Sequence, residues 1–313
     1  MSQAKDVLVF YSFAKHKTGY YHQLFDPLKQ REAEYGLSLS RGSLKDLQIE
    51  IIDNHLHVTE SMTGQPLSEF DFVQFELWLK SPEQALAAAT YLSRNDVLFN
   101  GHEALSVCST TKIGELVRMA DSQVPLPRTF MSSRTVTLEI FRAGGPLSYP
   151  FIAKAADAFG GRANYLVHNF IELESALNAH KDKFFVLQEF IPNSFDYRIL
   201  IMGGSIQFIL KRTRTDPNSH LNNTSAGATA EFVPIDVLTP TVIRDALKAA
   251  ELTLRDDFCG VDLLIDSRTG KHYVLEVNEA PAIQTGEDPE RKIGYLLEYM
   301  ADRAAHGVRS HHA

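Results

Sequence analysis

The chain has 313 residues, enough for about two domains at ~100–200 residues each, or one large one. Hydrophobic residues make up 44% and charged residues 22%, a globular composition that excludes disorder, collagen and simple repeats. The 31 Lys and Arg against 39 Asp and Glu leave a net charge of −8, so no nucleic acid and no membrane surface is expected as a partner, because both need clustered positive charge.

The opening MSQAKDVLVFYSF lacks a signal-peptide layout, and no run of about 18 apolar residues occurs, so a cytoplasmic protein is expected. The two cysteines, Cys108 and Cys259, form no CxxC pair and fit a reducing compartment. His55 and His57 alternate as on one strand face, which reads as a plain surface hairpin before it reads as a metal site. The His311-His312 pair reads as a frayed tail.

In chain order, residues 7–11 and 47–53 read as strands with a helix near 21–35 between them. A strand over 71–79, a helix over 82–93 that opens on Pro82, and a short strand over 97–100 follow. The alternation implies a mainly parallel, covered sheet. The next stretch gives a helix over 111–120, the break VPLPRTF, a strand over 150–154, a glycine loop, a strand over 163–167 and a helix over 171–180. Then strands come in quick succession at 184–191, 196–202, 205–212 and 230–235, with Gly203-Gly204 as a two-residue hairpin signal. A helix over 241–257, a hairpin of 259–266 with 271–278, and a last helix over 289–305 complete the pattern. The expected division is an α/β domain over 1–100, a small lobe over 101–182, a larger antiparallel lobe over 183–306 and a tail over 307–313.

Three features carry chemistry. Glu276 and Asn278, two apart on one strand, project to the same side, and Asp262 on the paired strand can join them. Two carboxylates and an amide oxygen suit a hard cation such as Mg²⁺, with Mn²⁺ as a second choice. A solvent-facing hairpin is the plainer reading, but the flanking Val261, Leu263, Val274 and Val277 make unpaired acids expensive there. The second feature is Lys154 at the end of an apolar strand, followed by Gly160-Gly161, whose backbone N–H groups can approach an anion. It matches neither a P-loop nor GxGxxG, and a hairpin with one exposed lysine fits equally well. The third is Glu189-Phe190-Ile191-Pro192, where proline stops strand pairing and leaves backbone groups that a flat base could use; an ordinary interstrand loop explains it alone.

Taken as an ordered series (FIAKAADAFGG, LQEFIP, DYRILI, KRTRTDPNSHLNN, GVDLLID, YVLEVNEAP), the chain resembles the ATP-grasp superfamily. Within it, the chain is similar to the RimK-like carboxylate–amine ligases of glutathione synthetase type, over about residues 97–300. The resemblance implies an α/β plus α+β architecture, an ATP-grasp fold behind an N-terminal pre-ATP-grasp α/β domain. It implies that Lys112 and Lys154 reach the phosphates of ATP and that Gly160 and Gly161 close over them. Glu189, Phe190 and Ile191 match the hinge that reads adenine, and Asp196 the acid near the ribose. Arg198 and Arg212 match arginines near the transferred phosphate or the substrate carboxylate. Asn222 precedes the small-residue turn Ala226-Gly227-Ala228, and Asp262, Glu276 and Asn278 match the Mg²⁺ ligands. The chain departs from the family pattern at Phe159 and Arg162 around the glycine loop, at Pro281-Ala282, and at His220 where relatives carry arginine.

The implied reaction activates a carboxylate as an acyl phosphate and joins it to an amine. Arg198, Lys211, Arg212 and Arg214 suggest an acidic donor such as glutamate, or a peptide, although several of them could simply pair with neighbouring acids. A homo-oligomer, dimer or tetramer, is an expected assembly, and Phe72, Phe75 and Trp78 read equally as core or interface. Two rival readings are phosphoryl transfer to a hydroxyl and a nucleotide-binding regulatory subunit without turnover.

Overall fold

The computed structural model describes residues 4–296, apart from residues 31, 79, 100–103, 106–111, 159, 217–218, 223–226, 254, 257, 279–280, 282–285 and 293. Cys108, Phe159, Ala226, Ala282 and the His311-His312 pair lie outside the described residues. The chain divides into two compact units. One comprises residues 1–122 and 127–190, the other residues 123–126 and 191–313.

The first unit holds two sheets. A parallel sheet has the order β2-β1-β5-β6, from β1 (Lys5–Tyr11), β2 (Leu37–Ser43), β5 (Phe72–Leu77) and β6 (Leu98–Phe99). Between β1 and β2 run two short helices, α1 (Thr18–Leu24) and α2 (Asp26–Lys29), and a 3₁₀ turn at Glu32–Tyr35. Helix α3 (Pro82–Arg94) joins β5 to β6; Pro82 in its first turn fits there because that N–H needs no partner. Phe75 is core, its ring 5.6 Å from Phe10 and 6.0 Å from Phe99.

The parallel partner of β1 is not the expected 47–53. It is 37–43, whose LSLSRGS carries too few apolar residues to announce a strand. The apolar QIEII instead forms β3 (Gln48–Ile52), which makes a hairpin with β4 (His55–Thr59) and enters the second sheet. Alternation decides this: Ile49 and Ile51 are fully buried while their neighbours are half-buried, as on a strand that buries one face. His55 and His57 lie on the exposed face of that hairpin.

The second sheet has the order β4-β3-β7-β10-β8-β9. Its other strands are β7 (Thr129–Ser132), β8 (Phe151–Ala155), β9 (Asn164–Val167) and β10 (Phe185–Glu189), and helix α4 (Lys112–Met119) precedes them. Helices α5 (Arg134–Arg142) and α6 (Phe170–Ala179) belong to one apolar cluster with Phe130, Phe151, Ala153 and Leu187. Strand β7 and helix α5 are additions to the elements expected from the sequence. Ser133 caps α5 by accepting from Val136 N–H, a start signal visible in SSRTV. The boundary expected at 182/183 falls before β10, which pairs with both β7 and β8, so this sheet carries the chain on to Glu189.

The second unit is built on an antiparallel sheet of order β13-β12-β11-β14-β15. Its strands are β11 (Phe195–Met202), β12 (Ser205–Thr213), β13 (Thr229–Val233), β14 (Phe258–Ile265) and β15 (His272–Asn278). Gly203 and Gly204, both at positive φ, make the predicted hairpin turn. Helix α7 (Pro240–Leu252) packs on β11, β14 and β15, capped by the Thr239 hydroxyl. Residues 289–292 and 294–296 are helical, and the rest of the expected last helix lies outside the described residues. No helix among the described residues is long and apolar enough to cross a membrane.

Candidate active site

In the second unit, register does the assembly. Arg198 of β11 lies opposite Asp262 of β14, which lies opposite Glu276 of β15; one step along, Gly260 faces Asn278. Directly opposed residues and those two apart share a face, so all of these, with Asp196 and Arg212, emerge on one side of the sheet. The alternate residues Ile199, Val261, Leu263 and Val277 are fully buried on the other side. The polar row is bordered by two apolar clusters, Leu200 with Phe208 and Leu210, and Leu264 with Tyr273 and Ile191. The three expected metal ligands are thus brought together.

The row is internally paired. Arg198 donates to both oxygens of Asp262 at 2.7 Å each, and Arg212 to both oxygens of Asp196 at 2.7 Å. Arg212 also reaches Asp262 at 3.1 Å. Asn278 Nδ2 donates to Asp262 at 3.3 Å and to Glu276 at 3.2 Å. Bidentate guanidinium–carboxylate pairs of this kind are the geometrically specific ones.

The two aspartates respond oppositely. Burial alone would raise Asp262, but two guanidiniums outweigh it and hold the carboxyl down at about 2. Burial pushes Asp196 up to about 6 against the pull of Arg212 and the weaker pull of Arg198, and the charge of Asp262 adds to the rise. Two acids and two hydrogen bonds hold Arg212 protonated against its burial.

The donor set fits a hard divalent cation. Asp262 stays ionised, Glu276 stands opposite it, and Asn278 can turn its amide to offer Oδ1, since the two ends of an amide are interchangeable in shape. Among the described residues no group of three or more His, Cys, Asp or Glu is placed to hold a metal ion, so at this row the amide of Asn278 has to complete the set.

Three residues beyond those expected from the sequence bear on the row. Gly260 has an ordinary φ, but a Cβ there would meet Pro281 Cβ at 2.8 Å, so its missing side chain makes room for that proline, while Arg198 Cδ would stand at an ordinary 3.6 Å. The GVD triplet is the signal that could find it. Asn193 links the segment after β10 to Asn222: its Nδ2 donates to Ile191 O at 2.7 Å and its Oδ1 accepts from Asn222 Nδ2 at 2.7 Å. Asn222 Oδ1 is buried without a hydrogen-bond partner. Lys292 is only 2% exposed; burial and then the charge of Arg198 lower its pKa, while Glu287 and Asp288 pull the other way. A lysine in a terminal helix carries no motif, so only the fold brings it there.

The basic residues suggested for an acidic donor are partly engaged nearby. Lys211 faces Glu231 at 3.6 Å and lies over the Phe195 ring, and Arg214 donates to Ser219 O. His220 is lowered by burial and by Arg214.

In the first unit, Lys154 sits on β8, buried, on the face opposite Phe151 and Ala153. Lys112 opens α4; its N–H donates to Ala156 O and its Nζ to Ala158 O, which ties the helix start to the chain just beyond Lys154. Gly160 and Gly161 both take positive φ, so the tight turn expected after β8 is present. Glu189 ends β10 by gripping Arg128: its N–H donates to Arg128 O and its Oε1 accepts from Arg128 N–H. The chain passes from the first unit to the second between Phe190 and Ile191.

A model of the RimK-like ATP-grasp domain matches residues 110–295. Among curated proteins, mitochondrial pyruvate carboxylase of Homo sapiens is 29% identical over 141 residues, 42% of this chain and 12% of that protein. Phosphoribosylaminoimidazole carboxylase of Schizosaccharomyces pombe (strain 972 / ATCC 24843) is 32% identical over 62 residues, 20% of this chain and 11% of that protein. The matched stretches thus span about a tenth of those relatives' own length. Among solved structures, D-alanine–D-alanine ligase of Bacillus anthracis complexed with ATP aligns with a TM-score of 0.48 at 15% identity, covering 96% of this chain and 98% of that one.

Proposed function

Because the chain belongs to the RimK-like ATP-grasp family, we propose that it is an ATP-dependent ligase that activates a carboxylate as an acyl phosphate and joins it to an amine. The observation that carries this reading is the Asp262–Glu276–Asn278 row flanked by Arg198 and Arg212. The reading keeps an N-terminal pre-grasp domain followed by two lobes, and a cytoplasmic location.

Phosphoryl transfer asks a protein for positioning and charge neutralisation more than for covalent chemistry. Lys112 and Lys154 take the phosphate oxygens as point charges, and the backbone N–H groups at Gly160 and Gly161 add donors without a side chain in the way. The backbone at Glu189, Phe190 and Ile191 meets the adenine. Asp262, Glu276 and Asn278 would hold Mg²⁺, which supplies charge neutralisation to the phosphates when bound. Arg198 and Arg212, already aimed by the aspartates, stabilise charge on the transferred phosphoryl group or the donor carboxylate. Asp196 spends both oxygens on Arg212, so it acts by positioning that guanidinium. The unpaired Oδ1 of Asn222 offers an acceptor to an incoming N–H or O–H.

The donor is read as an amino acid such as glutamate or a peptide carboxylate, and the acceptor as an amine. The test is the purified chain with Mg²⁺-ATP and hydroxylamine across a panel of amino acids and peptides. A hydroxamate formed with ADP supports the ligase. No hydroxamate from any carboxylate sinks it, and a phosphorylated hydroxyl compound without free phosphate moves the reading to a phosphotransferase.

A further inference from the structure

The amide of Asn222 is the last link in a chain of polar contacts whose direction is set by the backbone. Ile191 packs by its side chain with Leu264 and Tyr273, and the carbonyl of Pro192 accepts from Ser267 N–H at 2.8 Å, so this segment is held in place. The carbonyl of Ile191 can only accept. Asn193 therefore turns its NH₂ end toward it, at 2.7 Å, and presents Oδ1 on the other side. That oxygen also only accepts, so Asn222 meets it with Nδ2, at 2.7 Å, and its own Oδ1 is the end left over. Either amide could be reversed without a change of shape; the carbonyl at the head of the chain selects one orientation for both. Both residues are buried, Asn193 at 9% and Asn222 at 6% exposure. The loop before Asn222 is fixed separately. Arg214 N–H donates to Ser194 O at 3.4 Å and its guanidinium to Ser219 O at 3.1 Å, while the Ser219 hydroxyl accepts from Leu221 N–H at 3.1 Å.

A buried amide oxygen without a donor calls for an explanation, and Asn222 Oδ1 is one. We propose that Asn193 is a positioning residue that locks Asn222 with this oxygen toward a hydrogen donor, an O–H or N–H, on a bound ligand. The proposal rests on the ligase reading above, whose ligands offer two sources of such a donor: the ribose hydroxyls of the nucleotide and the amine. The ribose is the nearer of the two along the chain of contacts. Asn193 hangs on Ile191, the last residue of the segment assigned to adenine, and Asp196, the acid expected at the ribose, has both oxygens on Arg212.

The test is a thermodynamic cycle on the full chain, with circular dichroism to check folding. Calorimetry gives the dissociation constants of ADP, 2′-deoxy-ADP and 3′-deoxy-ADP, each with Mg²⁺, for the parent, Asn193→Ala and Asn193→Asp. Asn193→Ala lets Asn222 turn. ADP should then bind about ten-fold more weakly, the worth of about one hydrogen bond, while the deoxy nucleotide that lacks the bonded hydroxyl binds parent and variant alike. Asn193→Asp still faces Asn222 Nδ2 with an oxygen, so the preference for ADP over that deoxy nucleotide should return. A merely structural role would weaken all three nucleotides together. Where both hydroxyls give additive cycles, the amine is the donor if the KM for hydroxylamine in the hydroxamate assay rises about ten-fold in Asn193→Ala with kcat unchanged. If Asn193→Ala does not fold, Asn222→Ala enters the same measurements with the same expected pattern. Additive cycles together with an unchanged KM, or with no hydroxamate at all, overturn the proposal, as does a preference that aspartate fails to restore. A non-additive cycle in a chain that forms no hydroxamate sinks the ligase reading and leaves the role of Asn193 standing, so the two fail separately.

Discussion

The basic residues around Lys154 and the acid row around Asp262 solve opposite problems by different means. The first unit holds Lys112 through main-chain carbonyls at Ala156 and Ala158, and shapes its loop with two glycines at positive φ. The second unit fixes Asp262 with four hydrogen bonds, from Arg198, Arg212 and Asn278, across adjacent strands. The carbonyls that hold Lys112 are neutral. The aspartate row is a mutual arrangement, and removing one member leaves buried charges uncompensated. The first region is therefore separable into folding and function; the second is not.

Asp262→Asn is the strongest way to break that contrast. It leaves Arg198 and Arg212 short of a partner, and an expected loss of about 3–5 kcal/mol in urea unfolding accompanies a fall in ATP turnover of about 10²-fold or more. A variant as stable as the parent would show that the row is not a mutual arrangement. Lys112→Met, at the half-buried lysine on backbone carbonyls, tests the other side. Turnover should fall about 10²-fold, equivalent to about 3 kcal/mol of barrier, while the unfolding free energy stays within about 1 kcal/mol of the parent. Equal losses of stability in both variants would erase the distinction between the regions.

Asp196→Asn sharpens the picture through pH. The carboxyl of Asp196 is raised from 3.8 to about 6, so the folded chain keeps a proton there after the unfolded chain has released it. Its contribution is complete below about pH 4 and is lost as pH rises through about 6. Asp262, lowered from 3.8 to about 2, contributes above about pH 4 and is lost only as pH falls toward about 2. The stability gap between parent and Asp196→Asn should therefore shrink by on the order of 2–3 kcal/mol from about pH 4 to about pH 7. A gap that widens over that range would mean Arg212 outweighs burial at Asp196.

How far the sequence reveals these regions depends on where the information lies along the chain. Glu276 and Asn278 are two apart and share a face by pleating alone, whereas Asp262 comes opposite Glu276 through a bulge between Asp262 and Leu263 that shifts the hairpin register by one residue and that no local pattern announces. Lys154 and Gly160-Gly161 are legible locally, as Glu276 and Asn278 are. The pairing of Asp196 with Arg212 and of Arg198 with Asp262 depends on register between strands, and for Arg198 and Asp262 those strands are far apart in sequence; no period within one strand encodes it. Lys292 is brought toward Arg198 only by where the terminal helix lands. The strand LSLSRGS and the excursion of QIEII into a second sheet escape a reading by apolar content, which assigns a strand to the nearest sheet. Partnership is instead settled by which face each residue has to bury.

Gly260→Ala is the mildest probe and tests how tightly the row is packed rather than charged. The added methyl would stand 2.8 Å from Pro281 Cβ, too close for real atoms, but 3.6 Å from Arg198 Cδ, an ordinary contact. The backbone is at ease with alanine, because Gly260 is not among the positive-φ glycines. Strain thus falls on Pro281, which must move, and leaves the Arg198–Asp262 pair intact. The expected cost is about 1 kcal/mol of stability with turnover reduced several-fold, and with the pH profile of stability unchanged because no charge has shifted. A changed pH profile would show that the methyl reaches the guanidinium after all, making Gly260 part of the electrostatic arrangement rather than a spacer beneath Pro281.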